Sequence, residues 1–193
     1  KLNYLCYHHE QGAGYAALGE ARLTGRWGIL NPTTGCAGTN CYTPILNAWQ
    51  DSIPLVAISG NVNIETLASS WRENHNIKVR AYGVQENDII SSISSITKYS
   101  KLVKRAEDIG KIMLEAFFQA AIGRKGPVWI DVPADVQHTQ IEPKLFKNIS
   151  EAVKSLMNRI EQEQFNDFDS IVYSEIIDCL RKSKRPLILI GGG

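Results

Sequence analysis

The sequence has no CxxC pair, and its four cysteines, Cys6, Cys36, Cys41 and Cys179, are scattered without a histidine at zinc-finger spacing. A structural zinc site or a thioredoxin-like redox pair is therefore not suggested, and unpaired thiols fit a reducing compartment. No apolar run approaches 18 residues, and no basic stretch followed by an apolar one opens the chain, so neither a membrane span nor a secretory signal is indicated. Excess charge of one sign is lacking too: 21 Lys and Arg against 20 Asp and Glu leave +1. Neither nucleic acid nor an anionic membrane is an implied partner, and the expectation is a cytoplasmic protein. Repeats and low-complexity tracts are also missing.

What is present is an α/β pattern. Trp27–Leu30, Ile53–Ser59 and Val128–Val132 are short, nearly continuous apolar runs, the kind covered on both faces of a parallel sheet. Residues 2–7 and 186–190 read as further strands, and 79–82 as a short extended piece. Helical spacing is expected from Glu10 onward, at about 41–51, and over 106–122, where apolar residues fall at 109, 112, 113, 116, 117, 120 and 121. Two amphipathic helices follow, near 147–162 and 168–182. The expected fold is α/β, a doubly wound and mostly parallel sheet flanked by helices, with the start of a second α/β domain. The division is 1–143 for the first domain, lacking its N-terminal part, 144–166 for a linker helix, and 167–193 for the start of the next. Both ends are expected to be cuts in something longer.

His8-His9-Glu10-Gln11-Gly12-Ala13-Gly14 is the stretch with chemistry in it. Small residues at 16, 17, 19 and 21 continue it, so the helix opening at Glu10 is expected to pack closely on a neighbour, with the acid half-buried and its pKa raised. The bland alternative is an ordinary first-turn glutamate that complements the helix dipole. Gly12–Gly14 lacks a full G-x-G-x-x-G, and Gly35–Asn40 lacks the lysine of a P-loop, so each is a turn before it is a phosphate cradle. By pattern Cys36 is a small buried cysteine, His75 and His138 are surface histidines, and Gln85, Glu86 and Lys98 are solvated loop residues.

Six segments in order change that weighting. They are His9-Glu10-Gln11-Gly12-Ala13, Thr33-Thr34-Gly35 through Thr39-Asn40, Trp49 through Val56, Val84-Gln85-Glu86, Ile96-Thr97-Lys98, and Gly123 through Gln137. Together they resemble the pyrimidine-binding domain of thiamine-diphosphate enzymes of the acetolactate synthase group, over residues 4 to about 138. The resemblance implies that Glu10 is the cofactor-activating glutamate, whose carboxyl hydrogen-bonds N1′ of the aminopyrimidine. It implies cofactor contacts from Thr34, Gly35, Cys36 and Asn40, and substrate-proximal positions for Gln85 and Lys98.

The resemblance further implies thiamine diphosphate with Mg²⁺, both held by a C-terminal domain outside this chain, no metal ligand within it, and FAD as a further candidate cofactor. The implied function is a carboligase or decarboxylase acting on pyruvate or another 2-oxo acid, as in branched-chain amino acid biosynthesis. The implied assembly is a homodimer or homotetramer with the site at the subunit interface. Two departures stand out: Thr34-Gly35-Cys36-Ala37 replaces the usual Ser-Gly-Pro-Gly, and Asn61 stands where these enzymes usually carry Gln. The open alternatives are a lyase or hydrolase using the same cofactor, and a non-catalytic assembly or nucleotide-binding module.

Overall fold

A computed structural model describes residues 2–142, 149–165 and 170–189. Its centre is a four-stranded, fully parallel sheet built from β1 (Gly28–Leu30), β2 (Leu55–Asn61), β3 (Tyr99–Leu102) and β4 (Val128–Pro133), in the order β1-β2-β4-β3. Helices cover both faces, as expected of a doubly wound sheet. Strand side chains alternate between faces. Leu55 and Ala57 of β2 and Trp129 of β4 therefore pack with α1 (Glu10–Thr24), α3 (Tyr42–Gln50) and α5 (Ile89–Ile93). Val56, Val128 and Ile130 point the other way, against α6 (Ile109–Ala121) and α7 (Ala134–His138).

Helix α1 starts where the ring of His9 accepts a hydrogen bond from the Gln11 N–H (3.1 Å), and ends at Gly25, whose φ of 69° lets its N–H reach the Ala21 carbonyl. Its close-packed face is Gly14, Ala17, Leu18 and Ala21; of the small residues singled out by sequence, Ala17 and Ala21 lie on it, whereas Ala16 and Gly19 stay partly exposed. A Cβ at Gly14 would lie 2.4 Å from Pro44 Cγ, so glycine is required for α1 to seat on α3. Gly19, by contrast, faces open space.

Three expected strands are corrected. Residues 2–7 form none, because no strand of the described chain lies beside them; Leu2, Tyr4 and Leu5 are exposed. Residues 79–82 lie outside the sheet, in a loop before Gln85. Residues 186–189 are likewise in no strand, with Leu187 and Leu189 bare, and residue 190 lies outside the described residues. The sequence reading missed β3, α2 (Cys36–Asn40, read as part of a turn), α4 (Ala68–His75), α5 and α7, and found α8 (Ile149–Phe165) and α9 (Ser170–Lys182) nearly in place. Leu156 and Ile160 of α8 bury against Phe118 and Ala121 of α6, so α8 packs on the helix layer of the sheet. Residue 143 of the expected first domain, 144–148 and 166 of the expected linker helix, and 167–169 and 190–193 of the expected second domain lie outside the described residues.

Candidate functional site

In a parallel α/β sheet the loops leaving the carboxyl ends of the strands are where ligands bind. Here that edge gathers the N-terminus of α1, the turn between β1 and the short helix α2 (Cys36–Asn40), the end of β2, and the loop carrying Gln85. Glu10 lies at this edge, partly exposed, and its Oε2 accepts a hydrogen bond from the Asn40 side-chain amide at 3.0 Å.

The expected raised pKa of Glu10 is corrected: its carboxyl is held below the usual range. The Asn40 amide is the largest cause, followed by the glutamate's own backbone N–H and then the charge of His9; the modest desolvation of a rim position works the other way and loses. Directly beneath it, Cys41 is buried and donates to the Ala37 carbonyl. Burial, with the nearby Glu10 charge, pushes its thiol up to about 12. Cys41 is thus the inert buried cysteine, and Cys36, read by pattern as buried, is exposed at the first position of α2.

The turn itself is built around Gly35. Its φ of 63° with ψ of −126° belongs to backbone that only glycine adopts without strain. A Cβ there would sit 2.4 Å from the Gln85 carbonyl oxygen. Gln85 also has positive φ, 60°. Two unusual conformations are therefore pressed against each other. Beside them the Thr34 hydroxyl shares its proton between Asn61 Oδ1 (3.2 Å) and the Gln85 carbonyl (3.3 Å). The structure thus brings together Thr34, Gly35 and Gln85, and it joins Glu10 to Asn40 across the five-residue helix α2.

Lys98 is not among them. It stands immediately before β3, its backbone N–H bonded to the Pro127 carbonyl ahead of β4, at the amino end of the strands. Its stem packs over Gly126, and its Nζ donates to the Ile122 carbonyl. Desolvation lowers its pKa. The length of β4, about 15–20 Å at the usual strand rise, separates it from the other edge. Sequence pattern sees a polar residue beside an apolar segment and cannot tell which end of the sheet it will occupy.

The sequence reading assigned no role to Asp131, which is 1% exposed. Its two oxygens accept from the Ser59 hydroxyl (2.5 Å) and the Asn61 amide (2.6 Å), and Ser59 in turn accepts from the Trp129 indole N–H (2.8 Å). Burial pushes its carboxyl up to about 6 against the opposing pull of those two hydrogen bonds. Asp131 and Asn61 also line a cavity of about 340 Å³ with Arg72, Arg80, Asn87 and Asp88. Only the pairing of β2 with β4, which sets Ser59 opposite Asp131, makes this cluster visible.

Comparison of the sequence with known proteins points to one family. The N-terminal TPP binding domain of thiamine pyrophosphate enzymes matches residues 1–89. The chain is 34% identical over its full length to the acetolactate synthase large subunit of Corynebacterium glutamicum, covering 28% of that protein. It is 34% identical over its full length to the acetolactate synthase isozyme 2 large subunit of Escherichia coli, covering 31% of it. Against acetolactate synthase 1 of Zea mays it is 32% identical over 97% of its length, covering 26%. The chain belongs to the thiamine pyrophosphate enzyme family. Within that family it corresponds to the N-terminal domain of the acetolactate synthase group, and it spans less than a third of the length of these relatives.

Proposed function

We propose that this chain is the pyrimidine-binding part of a thiamine-diphosphate-dependent carboligase or decarboxylase that acts on pyruvate or another 2-oxo acid. The observation that carries the reading is the carboxylate of Glu10 at the opening of α1, steered by Asn40 beside the Gly35 turn. The donor set fits the group. A carboxylate acceptor suits a ring nitrogen that must share a proton, and the missing Cβ of Gly35 lets the Gln85 loop close on the turn at the same edge. Bound thiamine diphosphate would supply a nucleophilic carbon and an electron sink for the loss of CO₂ from the substrate.

The chain's own residues prepare that chemistry. Glu10 holds the proton at the pyrimidine N1′ position, and Asn40 fixes which way its carboxylate faces. Thr34, Gly35 and Cys36 form the wall along the ring, and Gln85 stands where the substrate would enter. Lys98, at the other edge, is not carried forward. In the exposed setting described here Glu10 favours the ionised form. Closure of the site by a second subunit would strip water from it and raise its pKa toward the range a proton-sharing group needs.

Mg²⁺ and the diphosphate are assigned to a C-terminal domain outside this chain, the central domain that begins near residue 167 is where FAD would lie if bound, and the assembly is a homodimer or homotetramer in the cytoplasm. On this reading the 193 residues alone do not turn over, and catalysis by them alone would contradict it.

The test is CO₂ release by the full-length protein over a panel of 2-oxo acids, with thiamine diphosphate and Mg²⁺, beside a Glu10→Gln variant. Release that requires the cofactor and collapses in the variant supports the reading, and the best substrate identifies the reaction. Cofactor binding without release turns the reading to a lyase or hydrolase with another substrate. Failure to bind the cofactor leaves a non-catalytic module.

A further inference from the structure

The polar cluster beneath the turn has a fixed direction, and that direction follows from Asp131. An ionised carboxylate only accepts hydrogen bonds. With both of its oxygens facing donors, Asn61 must present its NH₂ side to Asp131, and the same NH₂ reaches the Asn87 carbonyl at 3.2 Å. The amide oxygen of Asn61 is then forced to the opposite side. There it accepts from the Val62 N–H (2.9 Å) and from the Thr34 hydroxyl (3.2 Å). Thr34 leans between that oxygen and the carbonyl of Gln85, the group packed on Gly35. Trp129 and Ser59 anchor the other end inside the core.

We propose that Asp131 is a positioning residue: by fixing the orientation of the Asn61 amide, it holds the Thr34–Cys36 turn and the Gln85 loop in the arrangement that receives the aminopyrimidine. Asp131 touches neither the turn nor a ligand. The inference rests on the cofactor reading above only for what the turn receives; the ordering of the turn is a property of the chain itself.

The logic predicts its own reversal. In Asp131→Asn a single amide oxygen remains for two donors; kept on the buried Ser59 hydroxyl, it turns the new NH₂ toward that of Asn61, two donors meet, and the Asn61 amide is driven to flip. The flip turns its NH₂ toward the Val62 N–H and removes the acceptor from Thr34. Exchanging the pair, Asn61→Asp with Asp131→Asn, restores a carboxylate that accepts from Val62, Thr34 and the new amide, while the new amide's oxygen still accepts from Ser59; only the hydrogen bond to the Asn87 carbonyl is given up.

The experiment uses the full-length protein and two readouts. One is amide hydrogen exchange over 33–38, 62 and 83–88 without cofactor; the other is thiamine diphosphate affinity with Mg²⁺ present. The single variant should exchange faster at those segments and bind the cofactor about tenfold more weakly, the size of one lost hydrogen bond. The exchanged pair should recover the affinity and the protection over 33–38 and 62, with 87–88 still exchanging faster because the Asn87 carbonyl has lost its donor. A residue that only supported the core would show effects that follow the melting temperature and would not return in the exchanged pair.

Unchanged exchange and affinity in Asp131→Asn, or no recovery in the exchanged pair, overturns the inference. Should Asp131→Asn fail to fold, Thr34→Val removes the far end of the chain of bonds. It should weaken binding similarly while leaving the Val62 N–H protected, and unaltered binding there would overturn the inference equally. A wild type that binds no thiamine diphosphate sinks the cofactor reading, and the exchange data still decide the role of Asp131.

Discussion

At the carboxyl ends of β1 and β2, side chains are held by hydrogen bonds that leave the backbone of a turn open; at the amino ends of β3 and β4 they are used up in closing the structure. Thr34 and Gln85 meet at the first edge around Gly35, and Asn40 reaches Glu10 across α2 at the same edge. Lys98 sits at the second edge with its stem over Gly126, near Trp49, and its amine on a backbone carbonyl. Both edges are rich in polar and small residues. They differ in whether the polar groups order a surface or fill a gap, and that difference, rather than residue type, marks the functional edge.

The largest expected effect tests the first edge directly. Glu10→Gln in the full-length protein should lower turnover by about 10²–10⁴-fold, the range of a lost acid-base group, with the melting temperature unchanged. An unaltered rate would remove Glu10 from the chemistry. Gly35→Ala should follow: its Cβ meets the Gln85 carbonyl and its φ is unfavourable, so strain of about 1–3 kcal/mol should appear as a ten- to hundredfold weaker cofactor affinity by titration.

A third prediction concerns pH. The Asp131 carboxyl has a folded pKa of about 6 against an ordinary 3.8, mainly through burial, with the Asp88 charge a smaller contribution in the same direction. A raised folded pKa means that the native state binds the extra proton. Its contribution to stability is therefore fully present below about pH 4 and lost as pH rises through 6, by about 3 kcal/mol at most. Thermal melts from pH 4 to 7 should show that decline in the wild type and a flatter profile in Asp131→Asn; parallel profiles would contradict it. The smallest effect is reserved for the second edge. Lys98→Met should change cofactor affinity by less than about twofold and cost about 1 kcal/mol of stability for its hydrogen bond. A large loss of affinity would erase the contrast between the edges.

Much of the first edge could be read from the residues. A carboxylate followed by small side chains at helical spacing does open a close-packed helix, and Gly35 does occupy a turn only glycine fits. What the reading lacked was anything that depends on pairing. β3 escaped because Tyr99-Ser100-Lys101-Leu102 is an edge strand with no apolar run. Residues 2–7 have the composition of a strand but no neighbour to pair with in the described chain, and composition alone cannot supply one.

Ser59, Asn61 and Asp131 look like the polar ends of two separate apolar segments until the register sets them side by side. Small neighbours lead to the expectation of a half-buried Glu10 with a raised pKa; it is partly buried, but its pKa is lowered. Small neighbours bring a helix close to its support, yet they say nothing about what covers the helix end, and here Asn40 reaches it first.

Hydrogen exchange of the full-length protein, with and without thiamine diphosphate and Mg²⁺, tests most directly which edge receives the cofactor. The account predicts new protection over residues 10–16, 33–40 and 83–88, and none over 97–101 or 122–127. Protection confined to the Lys98 edge, or cofactor binding that leaves the Glu10 and Gly35 segments unchanged, would contradict it.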